Sequence, residues 1–258
     1  TQKVNRWTRM GAKGVSRLLG TIGHGVDRSR QGPADMKRRL EPELMEGADQ
    51  ALAYARADFS ESSNLFLKLL HNQNPGDLEG KQALDLGCGP ADIVIRFLKA
   101  WPEARCDVLY GSAAMLEQAR AALDALPGLA RRCRLLLGTL PSSQLAGAGY
   151  DLVLSNSLLH HFHDPQVLWR AVREVARPGT LVLVMDLVRP PSPLWAEALV
   201  VTYAGDEPEL LKRDFRDSLF AAFEPAEVRA QLVEAGLEYL EVAVVSDRHL
   251  VVSGRLAG

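Results

Sequence analysis

From Gln82 onward the chain alternates short, nearly continuous apolar runs with longer segments whose apolar residues recur every three or four positions. The runs "QALDLG" (82–87), "RCDVLY" (105–110), "RCRLLLG" (132–138), "YDLVLSN" (150–156) and "TLVLVMD" (180–186) read as strands. Between them "ADIVIRFLKA" (91–100), "AAMLEQARAALDAL" (113–126) and "PQVLWRAVREVA" (165–176) read as helices. This alternation predicts an α/β fold with a doubly wound, mostly parallel sheet and helices on both faces. In such a sheet ligands lie beyond the carboxyl ends of the strands, where strand order reverses.

The flanks differ. Two helical patterns, Glu43 to Arg56 and Ser60 to His71, precede the first strand, with Ser60 as the expected N-cap and "NQNPGDLEG" (72–80) as a loop. Beyond the fifth strand, residues 194–221 are helical with a break in "DEPELLKRDF". A further helix, "PAEVRAQLVEAG", starts after Pro225 and stops at Gly236. The last segment, "LEYLEVAVVSDRHLVVSGRL", reads as two strands around Ser246 to Arg248, an antiparallel hairpin. Near the start, Trp7, Met10, Val15, Leu18, Leu19 and Ile22 share one helical face while Arg6, Arg9, Lys13 and Arg17 cluster on another. Gly11 and Gly14 cost that basic amphipathic helix about 1 kcal/mol each relative to alanine, so it needs a partner surface. "RQGPAD" (30–35) reads as a break.

Composition sharpens this division. The 258 residues, 47% of them apolar, suit one α/β domain with an added N-terminal piece. We expect a basic arm over 1–33, a helical lid over 34–80 and the main domain over 81–258, with a helical insertion at about 190–222. The net charge of −2 conceals an asymmetry, because residues 1–39 sum to +8 and the remainder to −10. The arm therefore packs on its own domain or on a second subunit of a homodimer, attaches to an anionic membrane surface, nucleic acid or another protein, or is a partly disordered or processed leader. Cys88, Cys106 and Cys133 make no CxxC pair and have no histidine at metal-site spacing, so neither a metal site nor a disulfide is expected. With no long apolar run and no signal-like apolar core near the start, the expectation is a cytoplasmic protein.

The chemistry concentrates in "LDLGCGPAD" (84–92), where a strand, a G-x-G turn and a helix bring bare backbone against a ligand. A dinucleotide fingerprint has a third glycine, where this chain has Ala91 and Asp92, and Asp92 would face bound phosphates with negative charge. The turn suits a ligand without phosphates that carries a cationic amine, which Asp85 can meet.

"ALDLGCGPAD" resembles the first motif of class I S-adenosylmethionine-dependent methyltransferases, and "YDLVLSNSLLHHFHDP" is similar to their fourth-strand motif. "GSAAMLEQAR" matches the helix after their second strand and "RPGTLVLVMDLVRP" their fifth strand, so the resemblance spans about Gln82 to Gly258. It implies the family's seven-stranded sheet with a terminal antiparallel hairpin, the N-terminal helices lying over the pocket, and S-adenosylmethionine as cofactor. Carried over residue by residue, Asp85, Gly87 and Gly89 would contact the methionine and ribose portions, Met115 would pack near the adenine, and Asn156 would line the pocket. Where the family places an acid for the ribose hydroxyls this chain has Tyr110, a poorer bidentate acceptor. Asp107, three residues earlier, points to the opposite strand face. Where an acid often meets the adenine amino group stand Thr139 or Ser142.

Methyl transfer from a sulfonium is an in-line displacement that asks the enzyme to align, desolvate and, where needed, deprotonate the acceptor. His160 and His161 follow the fourth strand and are the candidate bases, with a loop-shaping role as the alternative. His163 and Asp164 begin the next helix, Asp164 as its cap before Pro165. Asp186 and Arg189 at the end of the fifth strand, and Tyr203 and Phe215 on the insertion, are candidates to grip a substrate or to serve structure. Arg248 is a further candidate, although the "DRH" turn with His249 reads by default as solvated. No Asn-Pro-Pro-aromatic signature is present, and the acidic main body repels phosphate backbones, which disfavours nucleic acid as the substrate. The resemblance implies methyl transfer to a small or medium organic acceptor or a peptide, at O, N or C. The alternative is a catalytically silent scaffold or regulatory partner.

Overall fold

The computed structural model describes residues 36–42, 46–73, 78–145 and 147–257. The expected basic arm, its amphipathic helix and the break at 30–35 lie outside these residues, as do Glu43 and part of the loop at 72–80. Helices α1 (Ala48–Arg56) and α2 (Ser60–Gln73) precede β1 (Gln82–Leu86). Then follow α3 (Asp92–Ala100), β2 (Arg105–Tyr110), α4 (Ala113–Asp124), the short α5 (Pro127–Ala130), β3 (Cys133–Leu137), β4 (Tyr150–Asn156), α6 (Gln166–Val175) and β5 (Ala176–Leu187). Helices α7 (Pro193–Ala204), α8 (Glu209–Ala221) and α9 (Pro225–Ala235) lead to β6 (Glu241–Val244) and β7 (His249–Arg255).

These strands form one seven-stranded sheet in the order β3-β2-β1-β4-β5-β7-β6. The four pairings among β1 to β5 are parallel, and β7 runs antiparallel to both β5 and β6. The chain therefore reverses its direction of travel across the sheet between β1 and β4, the position where open α/β sheets bind ligands.

The strands are apolar at successive positions because both faces are covered. Ala83, Cys106, Val108, Leu152, Leu154 and Leu183 face one layer, against Phe66 and Leu70 of α2, Phe97 of α3 and Leu116 of α4. Their alternating neighbours Leu84, Leu86, Leu109, Val153, Val182 and Val184 face the other, against Trp169 and Val172 of α6 and Val228 and Leu232 of α9. A third cluster joins Met36, Leu187 and the facing sides of α7 and α8. The insertion thus stands over the carboxyl end of β5, and the segment 36–42 crosses it.

Local chemistry explains the element ends. The Ser112 hydroxyl accepts from the Met115 N–H and caps α4, and Glu224 and Glu227 form a reciprocal capping box on α9. Gly236 stops α9 in a left-handed conformation. Ser60 does not act as the cap expected of it: it is the first residue of α2, and its N–H donates to the Asp58 carboxylate at 2.9 Å. Helix α6 begins at Gln166 with Pro165 at its N-cap position, so His163 and Asp164 precede the cap rather than beginning the helix, although the Asp164 carboxylate still accepts from the Gln166 N–H at 3.0 Å. Strand β5 is longer than the apolar run, starting at Ala176 and absorbing "RPG". Among the described residues no helix is long and apolar enough to cross a membrane.

Candidate active site

Parallel register brings the sequence candidates to one edge of the sheet. Leu86 pairs with Leu109 on β2 and with Ser155 on β4, and Asn156 pairs with Met185 on β5. One residue further along β1, β2 and β4 places Gly87, Tyr110 and Asn156 in one row with Met185, and Asp186 lies one position beyond it on β5. The two non-glycine residues with left-handed backbone among the described residues, Ala91 at φ +69° and Ser157 at φ +53°, flank this edge. Such conformations cost about 1–3 kcal/mol each and tend to collect at functional sites.

The glycine turn follows β1. Gly87 sits at φ +83°, and its N–H donates to the Leu109 carbonyl at 3.0 Å. A Cβ there would come within 2.9 Å of Leu158 Cδ1, so the bare Cα accommodates the loop after β4 as well as any ligand. Gly89, at φ +53°, would place a Cβ 3.7 Å from the ring of Tyr54 on α1. Tyr54 thus covers the turn; burial, together with Asp186 and Glu41, pushes its phenol up to about 12. A groove of about 420 Å³ runs where α1, α3 and α4 meet and touches the turn at Pro90.

Asp85 is 2% exposed, and no described residue hydrogen-bonds its carboxyl. Burial alone raises it from 3.8 to about 7. Asp92, by contrast, is spent on Arg96 at 2.8 Å along α3. Tyr110 is held above its ordinary range by burial, with Tyr54 and Cys88 as neighbours. Asp107 is turned away, as the strand alternation requires, and is bonded to Arg134 and to the Tyr150 hydroxyl at 2.7 Å. Met115 is fully buried in the first turn of α4, Thr139 is exposed beyond β3, and Asn156 Oδ1 is buried with no hydrogen-bond partner.

Beyond β4 a single 3-10 turn, Leu159–His161, presents both candidate histidines. His160 Nδ1 lies 2.5 Å from Asp186 Oδ1, and the His160 N–H donates to the other carboxylate oxygen at 3.2 Å. Burial pulls His160 down, but Asp186 and Glu41 outweigh it, and its pKa ends above the ordinary value. Asp186 is likewise lowered despite burial, by His160 and by the Leu187 and His160 N–H groups. His161 is driven to about 3 by burial and by the charge on His160, and its ring packs on that of His160 at 4.3 Å.

Glu41 is a site residue that sequence reasoning missed. Its Oε1 lies 3.3 Å from both His160 Nε2 and His161 Nδ1, its Oε2 accepts from the Ser218 hydroxyl at 3.2 Å, and burial raises it to about 7. Arg38 was missed as well: it clamps the same loop by donating to the carbonyls of His160, Phe162 and Ala221. Neither residue, nor Tyr54, lies in a motif, so no local pattern marked them.

The remaining candidates fall into other groupings. Arg189 does not meet Asp186 but donates to Glu224 at 2.7 Å and Glu227 at 3.0 Å. Arg248 stacks 3.4 Å over the Tyr203 ring and pairs with Asp247 and Glu61, while the Tyr203 hydroxyl donates to Asp247 at 2.6 Å. The "DRH" turn is not solvated: Arg248 is 7% and His249 4% exposed, because β7 pairs its start with the end of β5. Phe215 packs in the third apolar cluster. His163 Nε2 lies 3.0 Å from the Glu41 carbonyl oxygen.

The methyltransferase-domain family model matches residues 84–182, the span that holds the glycine turn, Asn156 and both histidines. Over that span the chain is similar to S-adenosylmethionine-dependent methyltransferases of class I. Malonyl-[acyl-carrier protein] O-methyltransferase of Xylella fastidiosa (strain M23) is 30% identical over 138 residues, 51% of this chain and 45% of that protein. Ubiquinone biosynthesis O-methyltransferase of Bordetella avium (strain 197N) is 28% identical over 184 residues, 66% of this chain and 72% of that one. A solved methyltransferase from Aquifex aeolicus superposes with a TM-score of 0.61 at 15% identity, covering 83% of this chain and all of that one, which supports the fold. The chain spans only 28% to 45% of the length of the first curated relatives it matches. The cofactor of this methyltransferase family is S-adenosylmethionine. The residues present fit it: a buried acid without a partner at Asp85 answers a cationic amine, and the unpartnered Asn156 oxygen answers a donor.

Proposed function

We propose that this chain moves a methyl group from S-adenosylmethionine to a small or medium organic acceptor. The observation that carries this reading is the convergence, at one sheet edge, of an unpartnered buried acid, a bare glycine turn and the unpartnered Asn156 oxygen. When bound, the cofactor supplies an electrophilic methyl group on a sulfonium. Asp85, Gly87 and Gly89 hold its methionine and ribose portions, Tyr110 takes the place of the ribose acid, Met115 and Thr139 border the adenine, and Asn156 lines the pocket. Tyr54 of α1 closes over the turn and excludes water from the reacting groups.

Acceptor chemistry falls to the loop after β4. Asp186 fixes the His160 ring through Nδ1 and leaves Nε2 to take a proton, with His161 alongside as a neutral imidazole. Arg189, Tyr203 and Arg248 shape the far wall, oriented by their acidic partners. The matched relatives are named as O-methyltransferases, which supports oxygen as the acceptor atom. The same reading places the protein in the cytoplasm with free thiols and a basic arm that contacts a second copy, another protein or a membrane surface; nucleic acid is not its substrate. Residues 34–80 act as the lid, and the methyltransferase domain runs from 81 with its insertion at about 190–222.

A second reading, a silent scaffold that works through a partner protein, is favoured by Tyr110 standing where an acid would grip the ribose. Calorimetric titration of the purified, ligand-stripped protein with S-adenosylhomocysteine separates the two. Micromolar binding is expected; no heat at millimolar ligand would sink the methyl-transfer reading and leave the scaffold.

A further inference from the structure

Glu41, His160 and His161 bring three donor atoms to one point: Glu41 Oε1, His160 Nε2 and a ring nitrogen of His161 all lie within 4.8 Å of one another. Two of those separations, from Oε1 to His160 Nε2 and to His161 Nδ1, are 3.3 Å. A tetrahedral ion with ligands at about 2.0–2.1 Å sets its donors roughly 3.3 Å apart. Despite this closeness Glu41 Oε1 is buried with no hydrogen-bond partner. The ring N–H directions miss it, so the donor atoms surround a common point without pairing off.

We propose that Glu41, His160 and His161 form a binding site for a divalent first-row transition cation such as Zn²⁺. Two imidazole nitrogens and one carboxylate oxygen select such an ion over Mg²⁺ or Ca²⁺, which take oxygen ligands. The surrounding groups hold the ligands in the needed form. His160 donates its Nδ1 proton to Asp186, which leaves the Nε2 lone pair facing the site, the carboxylate–histidine–metal arrangement. Ser218 donates to Glu41 Oε2 and so aims Oε1 inward. His161 Nδ1 gives up its 3.3 Å contact with the Pro42 carbonyl when it ligates. Among the described residues the charges that act on His160 are the Glu41 and Asp186 carboxylates and the Arg38 guanidinium, so the cluster with neutral imidazoles is a net anion. Sequence spacing gave no hint of this site, because Glu41 lies far from the histidines along the chain and reaches them only when the segment 36–42 folds over the loop.

The cation site shares His160 Nε2 with the methyl-transfer reading: with the ion bound, that nitrogen ligates and does not take the acceptor proton. If that reading holds, the ion would do this work instead, binding the acceptor oxygen and lowering its pKa at the end of β5. The test uses tag-free, chelator-stripped protein titrated with Zn²⁺ by calorimetry and with Co²⁺ by visible absorption. One ion per chain, with the strong ligand-field bands of four-coordinate cobalt, is expected, and Mg²⁺ should not compete. Glu41→Gln and His161→Asn should each weaken binding by more than about tenfold, circular dichroism confirming that they fold. Ser218→Ala, a milder change, should weaken it less. Absence of saturable binding to the unaltered chain overturns the proposal, as does binding undiminished in every folded variant or competition by Mg²⁺ on equal terms. S-adenosylhomocysteine binding, measured separately, bears only on the methyl-transfer reading.

Discussion

Replacing Asp85 by asparagine separates what the buried acid costs the fold from what it does for a ligand. Its carboxyl is raised from 3.8 to about 7 by desolvation alone, with no hydrogen bond or cation to offset it. A shift of that size corresponds to roughly 4 kcal/mol of disfavour for the ionised form. Between the unfolded value and about pH 7 the native protein binds more protons than the unfolded chain, so this group makes stability fall as pH rises through that window. Below the window both states are protonated and the cost vanishes; above it the full cost applies. Asp85→Asn should therefore stabilise the protein at pH 8 by at least about 1 kcal/mol and at most roughly 4, and by far less at pH 5. Urea unfolding at the two pH values reads this directly. The same variant should lose affinity for S-adenosylhomocysteine, because the amide cannot neutralise a cationic amine. A variant no more stable at pH 8, or equally stabilised at both pH values, would refute the desolvation argument; unchanged affinity would remove Asp85 from the ligand site.

Two further changes probe the same edge of the sheet. Gly87→Val forces a Cβ into Leu158 at 2.9 Å and a branched residue into φ +83°, so it should destabilise by about 1–3 kcal/mol and abolish binding. Adding Leu158→Ala should recover part of the stability but not the binding; recovery of both would mean that only the loop, and no ligand, needs the bare Cα. Tyr110→Asp should tighten S-adenosylhomocysteine measurably in calorimetry if this side chain occupies the ribose position, and an unchanged dissociation constant would disprove that placement.

The parts of this molecule legible in its sequence are those governed by neighbours along the chain. Strand and helix order followed from the switch between continuous apolar runs and three-to-four spacing, and "RCDVLY" and "YDLVLSN" form β2 and β4 over the residues expected. Gly87, Gly89 and the stop at Gly236 were readable because a left-handed backbone conformation is a property of one residue. Errors arose where two residues compete for one role. Asp58 served the start of α2 in place of Ser60, because its carboxylate accepts from the Ser60 N–H at the first helical position. The "DRH" turn, polar by composition, was buried by pairing with β5 and stacking on Tyr203.

The sequence alone determined that a parallel sheet would carry a glycine turn and an acid to its ligand edge, since periodicity and backbone conformation are local. Only tertiary structure decided which side chains meet there. His160 pairs with Asp186 because β4 and β5 lie side by side, and Arg189 turns to α9 because that helix offers two carboxylates. Glu41 and Tyr54 enter the site from before β1, by packing of segments whose spacing carries no record of their partners.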